Sequence, residues 1–334
     1  MNRSGGLMTA KPVMTNEALV LIELPRANGY GRTARDAAIV PSPRISLSWV
    51  MDFVTLTKPE ITLLVVLAAG LGTVMASTVL NPVLFLHVLC GTALLASGSA
   101  TLNQYLERVH DARMRRTANR PLPAGRVTPR AALYFGLGLS LCGILYLAFT
   151  LNALTSLIGL VALLSYLLLY TPLKRRTPLC ILIGALPGAA PVLMGWSAVR
   201  GGLEPQAWLL FAILFLWQFP HVLAIAWLYR KDYAHAGMRM LPRGAEEGGR
   251  VFRLLWIASL ALSVAALLPG MIGMTGRLSL YCALVLDLGL LFFVAQVSSR
   301  RSKQAARRLL HATVLYLPLL YAVMVLDKAW SPIG

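Results

Sequence analysis

The stretch that decides the fold runs from Val83 to Gly125: VLFLHVLCGTALLASGSATL (83–102), then without a break NQYLERVHDARMRRTANRPLPAG (103–125). The first part is an apolar run of about 20 residues, the length that crosses a bilayer as a helix. The second part is crowded with charge. Asn103, Glu107 and Asp111 recur every four residues, a spacing that advances about 40° around a helix and keeps all three on one face. Arg113, Arg115, Arg116 and Arg120 follow at once.

Charged loops between spans usually stay solvated and set topology. That accounts for the arginines, but not for an amide and two acids on one helical face at the mouth of a span. Hard oxygen ligands of this kind suit Mg²⁺, which is typically held by one or two carboxylates together with substrate phosphates. Arginine forks neutralise the phosphate charge that the metal leaves over. At a membrane surface the combination points to a diphosphate whose other end is a lipid.

The rest of the chain supports a membrane setting. Its 334 residues are 57% hydrophobic and 13% charged, where soluble domains carry about 25% charge. Apolar runs predict nine transmembrane helices, near 60–79, 83–102, 130–150, 152–171, 179–199, 207–228, 253–271, 278–297 and 308–326, with a very tight turn between the third and fourth. The fold class is therefore an all-α polytopic membrane protein.

The net charge of +18 invites a nucleic-acid partner, but its distribution excludes one. On the nine-span reading, 28 of the 31 Lys and Arg residues fall on one face and only Arg200, Arg277 and Lys328 on the other. This is the positive-inside bias. It predicts a cytoplasmic amino terminus, an external carboxyl terminus and the bilayer as the macromolecular partner.

Cys90, Cys142, Cys180 and Cys282 lie scattered in apolar runs, as small buried hydrophobes do, with no C-x-x-C pair. Residues 1–50 lack apolar periodicity and read as a disordered cytoplasmic leader. Residues 51–328 read as the membrane-embedded domain, and 329–334 as a short external tail. No secretory signal pattern is present, and Glu17 and Glu23 argue against a mitochondrial presequence.

A second polar constellation reads WQFPHVLAIAWLYRKDYAHAGMRMLP (217–242). Pro220 predicts a kink in the sixth span. His221 follows it inside the apolar run, and a polar residue deep in a span is by default a functional hypothesis. Asp232 comes eleven residues later, which on a continuous helix puts it on the face of His221 about 16 Å away. Arg230 and Lys231 flank it. The two charged loops, about 103–130 and 229–253, are four spans apart. This suggests two four-helix units facing each other across a central cavity.

These segments resemble the signature regions of the UbiA superfamily of intramembrane prenyltransferases, most closely its protohaem IX farnesyltransferase branch. The stretches that carry the resemblance are LTKPEITLLVVLAAG (56–70), NQYLERVHDARMRRTANRPLPAG (103–125), YTPLKRRTPLCILIGALPGAAPVLMGW (170–196) and the WQFPHVLAIAW…YRKDYAHAG run. Together they place 51–326 in the family. The chain departs from its motifs twice: Glu107 stands where an Asp is usual, and Ala236 where a further acid of the second motif is common.

The resemblance implies a UbiA-like helical bundle around a central cavity. It also implies farnesyl transfer from farnesyl diphosphate to a vinyl group of haem b, with water added, giving haem O and diphosphate. Haem is then a substrate, in keeping with the lack of a C-x-x-C-H motif, and Mg²⁺ the cofactor, held by Asn103, Asp111 and Asp232. Catalysis falls to Asn103, Glu107, Asp111, Asp232 and His221. Diphosphate binding falls to Lys58, Arg115, Arg116, Arg120, Lys174, Arg230, Lys231 and Tyr233. A bacterial inner membrane is the expected location, with a haem O-modifying enzyme or oxidase assembly factors as downstream partners.

Two rivals are a related enzyme that prenylates an aromatic quinone precursor and a secondary transporter. Transporter sites tend to sit near the bilayer midplane, whereas these acids cluster at span ends.

Overall fold

The computed structural model describes residues 47–241 and 249–330, and among them every regular element is helical. In chain order they are α1 (Leu47–Leu56), α2 (Pro59–Ala76), α3 (Pro82–Asp111), α4 (Pro129–Thr150) and α5 (Ala153–Leu164). A π-helical segment, Ser165–Tyr170, leads into α6 (Thr171–Leu173). Then come α7 (Cys180–Arg200), α8 (Pro205–Leu228), α9 (Arg230–His235), α10 (Gly249–Met271), α11 (Arg277–Arg300) and α12 (Lys303–Trp330). Counting Ala153–Leu173 as one span, the described residues hold nine helices long and apolar enough to cross a membrane. The protein is a multi-pass membrane protein.

Local sequence fixes where the spans begin. Proline occupies the first turn of α2, α3, α4 and α8, where its missing N–H costs nothing. Asn81 accepts from the Val83 and Leu84 amides, and Thr128 from that of Ala131. Asn152 accepts from the Thr155 amide at 2.8 Å, which restarts the helix directly after Leu151 and makes the predicted tight turn.

The largest core joins α2, α7, α8, α10, α11 and α12, while outward faces leave Tyr134, Phe149, Tyr281 and Phe292 exposed, as lipid-facing surfaces require. Small residues let α2 and α7 touch backbone to backbone. A Cβ on Gly72 would stand 2.1 Å from the Val192 carbonyl oxygen, and one on Gly195 1.9 Å from that of Ala69. Close approach of this kind drives helix association where lipid removes the hydrophobic incentive. At one end of the bundle, Lys328 donates to the carbonyls of Val74, Met75 and Ser77 at 2.7–2.8 Å, capping α2. Asp327 beside it accepts from the Ser279 amide at the start of α11 at 2.7 Å.

Several expectations change. Helix α1 begins at Leu47, inside the segment read as leader, and packs Leu56 against Leu122, Val127 and Ala132. The remainder of that segment, like the expected tail, lies outside the described residues. The helix of the second span continues well past Leu102 to Asp111. Only Cys180 of the four cysteines is buried; Cys90 and Cys142 are exposed on the bundle surface.

Candidate active site

The polar end of α3 carries the site. Asn103, Glu107 and Asp111 are 1%, 5% and 1% exposed, burial that three polar groups tolerate only when partnered. Each is. The Asn103 amide oxygen accepts from Lys58 at 3.4 Å, and its nitrogen donates to the Thr171 hydroxyl at 3.1 Å. Thr171 in turn donates to the Tyr166 carbonyl at 2.9 Å, inside the π-helical segment. Glu107 Oε1 pairs with Lys174 Nζ at 2.8 Å, and Asp111 Oδ2 with Arg120 at 2.7 Å. Among the described residues the second oxygen of each carboxylate accepts no hydrogen bond.

The cations come from separate segments. Lys58 sits between α1 and α2 with φ 48°, a left-handed conformation for a non-glycine residue of the kind that concentrates at functional sites. Burial, then the charges of Arg120 and Lys174, push its pKa down to about 7 against the pull of Glu107 and Asp111. At Lys174 burial also works against the charge, yet Tyr170 and Glu107 carry its pKa well above the usual lysine value. Its ammonium lies 4.4 Å from the centre of the Tyr170 ring. Crowded positive charge beside two acids is an electrostatic cradle for a polyanion.

The second loop closes over the first. Arg116 donates to the Tyr233 hydroxyl at 3.2 Å and faces the Tyr229 ring at 5.1 Å. The Arg239 amide donates to the Lys174 carbonyl at 2.7 Å. Asp232 lines a cleft of about 230 Å³ together with Arg115, Arg230, Lys231 and, from α12, Lys303 and Arg307. Its carboxylate makes no hydrogen bond or ion pair among the described residues. No three His, Cys, Asp or Glu side chains among those residues are grouped as a metal cage.

Of the residues expected from sequence, Lys58, Asn103, Glu107, Asp111, Arg120 and Lys174 thus form one cluster. Arg115, Arg230, Lys231 and Asp232 share the neighbouring cleft, and Arg116 with Tyr233 joins the two loops. His221 stands apart, bonded through Nδ1 to Thr313 Oγ1 at 3.0 Å. The expectation that His221 and Asp232 share a helical face fails. The helix breaks at Tyr229 (φ −105°, ψ 21°), because the Arg230 guanidinium donates to the Trp227 carbonyl at 2.8 Å and lies on the Trp227 ring. That side chain folds back on the last turn of α8, and α9 starts at Arg230.

Sequence reading missed Thr171, Lys303, Arg307 and the bracing role of α1. Asp52 on α1 pairs with Arg126 at 2.9 Å, and the Leu56 carbonyl accepts from Gln104 at 2.7 Å. The signal for Thr171 was a hydroxyl at the end of an apolar run; Lys303 and Arg307 were hidden among topology-setting charges.

Comparison with known proteins settles the family. The profile of the UbiA prenyltransferase family matches residues 63–319. The chain belongs to the UbiA prenyltransferase family. It is a prenyltransferase. A protoheme IX farnesyltransferase of Solibacter usitatus (strain Ellin6076) is 45% identical over 287 residues, 83% of this chain and 98% of the relative. One from Koribacter versatilis (strain Ellin345) is 42% identical over 302 residues, 86% and 96% of the two chains. Among solved structures, a UbiA homolog from Aeropyrum pernix K1 shares the fold with a TM-score of 0.66 at 19% identity, covering 80% of this chain and 98% of that one. The UbiA homolog from Archaeoglobus fulgidus bound to GPP and Mg²⁺ has a TM-score of 0.61 at 16% identity, covering 82% and 99%.

Proposed function

We propose that this UbiA enzyme transfers farnesyl from farnesyl diphosphate to a vinyl group of haem b, adds water and releases haem O and diphosphate. The observation that carries the reading is the buried face Asn103–Glu107–Asp111 bridged to Lys58, Lys174 and Arg120. The identity of the acceptor rests on the protoheme IX farnesyltransferases that match over 96–98% of their length. Those relatives are bacterial, and with the one-sided charge they support a bacterial inner membrane as the location.

The donor set fits Mg²⁺. Asn103, Glu107 and Asp111 offer hard oxygens on one helical face, each acid has an oxygen to spare, and Asp232 brings an unpaired carboxylate from the second loop. Asn103, Asp111 and Asp232, with Glu107 beside them, would hold the ion. When bound it supplies Lewis-acid stabilisation of the departing diphosphate.

The remaining work falls to the chain's own groups. Lys58, Lys174, Arg116 and Arg120 bind the diphosphate oxygens and stabilise the charge that grows as the allylic C–O bond breaks, its electron pair leaving with diphosphate. Arg115, Arg230 and Lys231 hold the same field from the cleft side, and Tyr233 keeps Arg116 in place. The apolar bundle takes the farnesyl chain and keeps water from the allylic cation. The vinyl terminal carbon forms the new bond, the positive charge moves to the carbon next to the ring, and water adds there with loss of a proton.

Membranes with and without the protein, incubated with farnesyl diphosphate and either haem b or 4-hydroxybenzoate, test this reading. Mass analysis is expected to find haem O only where the protein is present. Prenylated benzoate without haem O would assign the enzyme to quinone chemistry instead.

A further inference from the structure

The polar residue that the diphosphate cluster leaves unused is His221, and its surroundings place a proton on Nδ1. Thr313 Oγ1 lies 2.7 Å from the Leu310 carbonyl oxygen and 3.0 Å from His221 Nδ1. A carbonyl can only accept, so the single hydroxyl proton goes to Leu310. The contact with the imidazole must then use the proton of Nδ1. The contact leaves His221 with a proton on Nδ1, and in the neutral ring of this tautomer Nε2 carries a lone pair, with no partner among the described residues.

The ring is also held in plane. It stacks on Trp217 with 4.7 Å between centroids and 19° between planes. Trp217 in turn donates its indole N–H to the Thr313 backbone carbonyl at 2.8 Å. Thr313 thus grips both partners, one through its hydroxyl and one through its main chain. A histidine kept only for packing gains nothing from such alignment. An imidazole fixed by a hydrogen bond at one nitrogen and open at the other is the arrangement that ligates metals, the outer bond setting tautomer, orientation and basicity.

We propose that His221 Nε2 ligates the iron of the porphyrin acceptor and that Thr313 is the positioning residue that holds it there. This rests on haem b as the acceptor. The bond is a dative one, with the lone pair of neutral Nε2 filling an axial position of the iron and no electron or proton transferred. The location suits the reaction. His221 is seven residues from the end of α8, about 10 Å along the helix from the loop that carries Asp232.

The test uses purified full-length protein in lipid nanodiscs, titrated with ferric haem b and separately with farnesyl diphosphate. Wild type is expected to give the optical and EPR signature of a nitrogen-ligated iron, and His221→Ala to lose it. Thr313→Val, which keeps the shape and removes the hydroxyl, should weaken haem binding about tenfold, the scale of losing an outer-shell partner of a metal ligand. Thr313→Ser should restore it to within about twofold. Farnesyl diphosphate affinity should stay within about twofold in all three variants, which also reports intact folding. An unaltered iron spectrum in His221→Ala, with haem O formation lost or retained, would overturn the ligand assignment. So would Thr313→Val binding haem like wild type. A wild-type protein that neither binds haem nor forms haem O would sink the acceptor reading itself.

Discussion

At the scale of single residues, the site is a set of buried charges that neutralise one another while leaving acceptor oxygens open. Asp111→Asn keeps the shape but removes a charged donor, so turnover should fall at least a hundredfold, about 2.7 kcal/mol of transition-state stabilisation, while the protein still inserts. Purified variant and wild type compared per folded molecule check this; wild-type turnover would remove Asp111 from the site. Glu107 has a second duty, since Lys174 is buried against it. Glu107→Ala should therefore lose activity and also destabilise the fold by about 3 kcal/mol, because breaking a buried pair strands a charge. Glu107→Asp should keep much of both, and thermal unfolding in detergent separates the two variants. The face Asn103–Glu107–Asp111 was legible because one helical period relates its members. Its cations were legible only as a pool, because Lys58 and Lys174 reach α3 from other spans and no local pattern says which lysine meets which acid.

At the scale of elements, the starts of helices were readable and some of their continuations were not. Prolines and the caps Asn81, Thr128 and Asn152 mark starts in the sequence itself. The break at Tyr229 depends on a guanidinium folding back onto Trp227, a tertiary event that a periodicity argument cannot see. Extending the period of α8 through it produced the false shared face. Helix α1 escaped notice because ten residues are too few for a span and sit beside a segment without periodicity. The seam between α2 and α7 yields the sharpest test at this scale. A methyl on Gly195 meets the Ala69 carbonyl, a backbone atom that cannot swing away. Gly195→Ala should lower stability by about 1–3 kcal/mol and reduce activity, because Lys58 immediately precedes α2. Gly138→Ala, with nothing within 4 Å of the added carbon, should leave both unchanged. Thermal unfolding of the two variants in one detergent decides; equal melting would mean the helices part to admit the methyl.

At the scale of the whole molecule, nine helices were countable from hydropathy because each must satisfy its own backbone in lipid, and the structure has the same number among its described residues. The proposed orientation rests on where the charges go. The Lys58–Asn103, Lys174–Glu107 and Arg116–Tyr233 contacts gather the connections after α1, α3, α6 and α8 at one end, the end that the charge bias assigns to the cytoplasm. All three cations assigned to the other face sit at helix ends there, Arg200 closing α7, Arg277 opening α11 and Lys328 capping α2. A positive surface that holds back translocation and the proposed diphosphate site then occupy the same face. Farnesyl diphosphate would approach from the cytoplasm with its chain entering the bundle. A topology reporter fused at Gly125 or Gly237 should accordingly read cytoplasmic, and one at Gly202 or Gly273 external. Moving charge tests the cause as well as the outcome. Neutralising Arg113, Arg115, Arg175 and Arg176 together, all exposed, should produce a mixed population at Gly125, because these loops are short enough for their charge to count. A reporter that reads external at Gly125 in the unaltered protein would invert the bundle and put the diphosphate site on the wrong side of the membrane for its substrate.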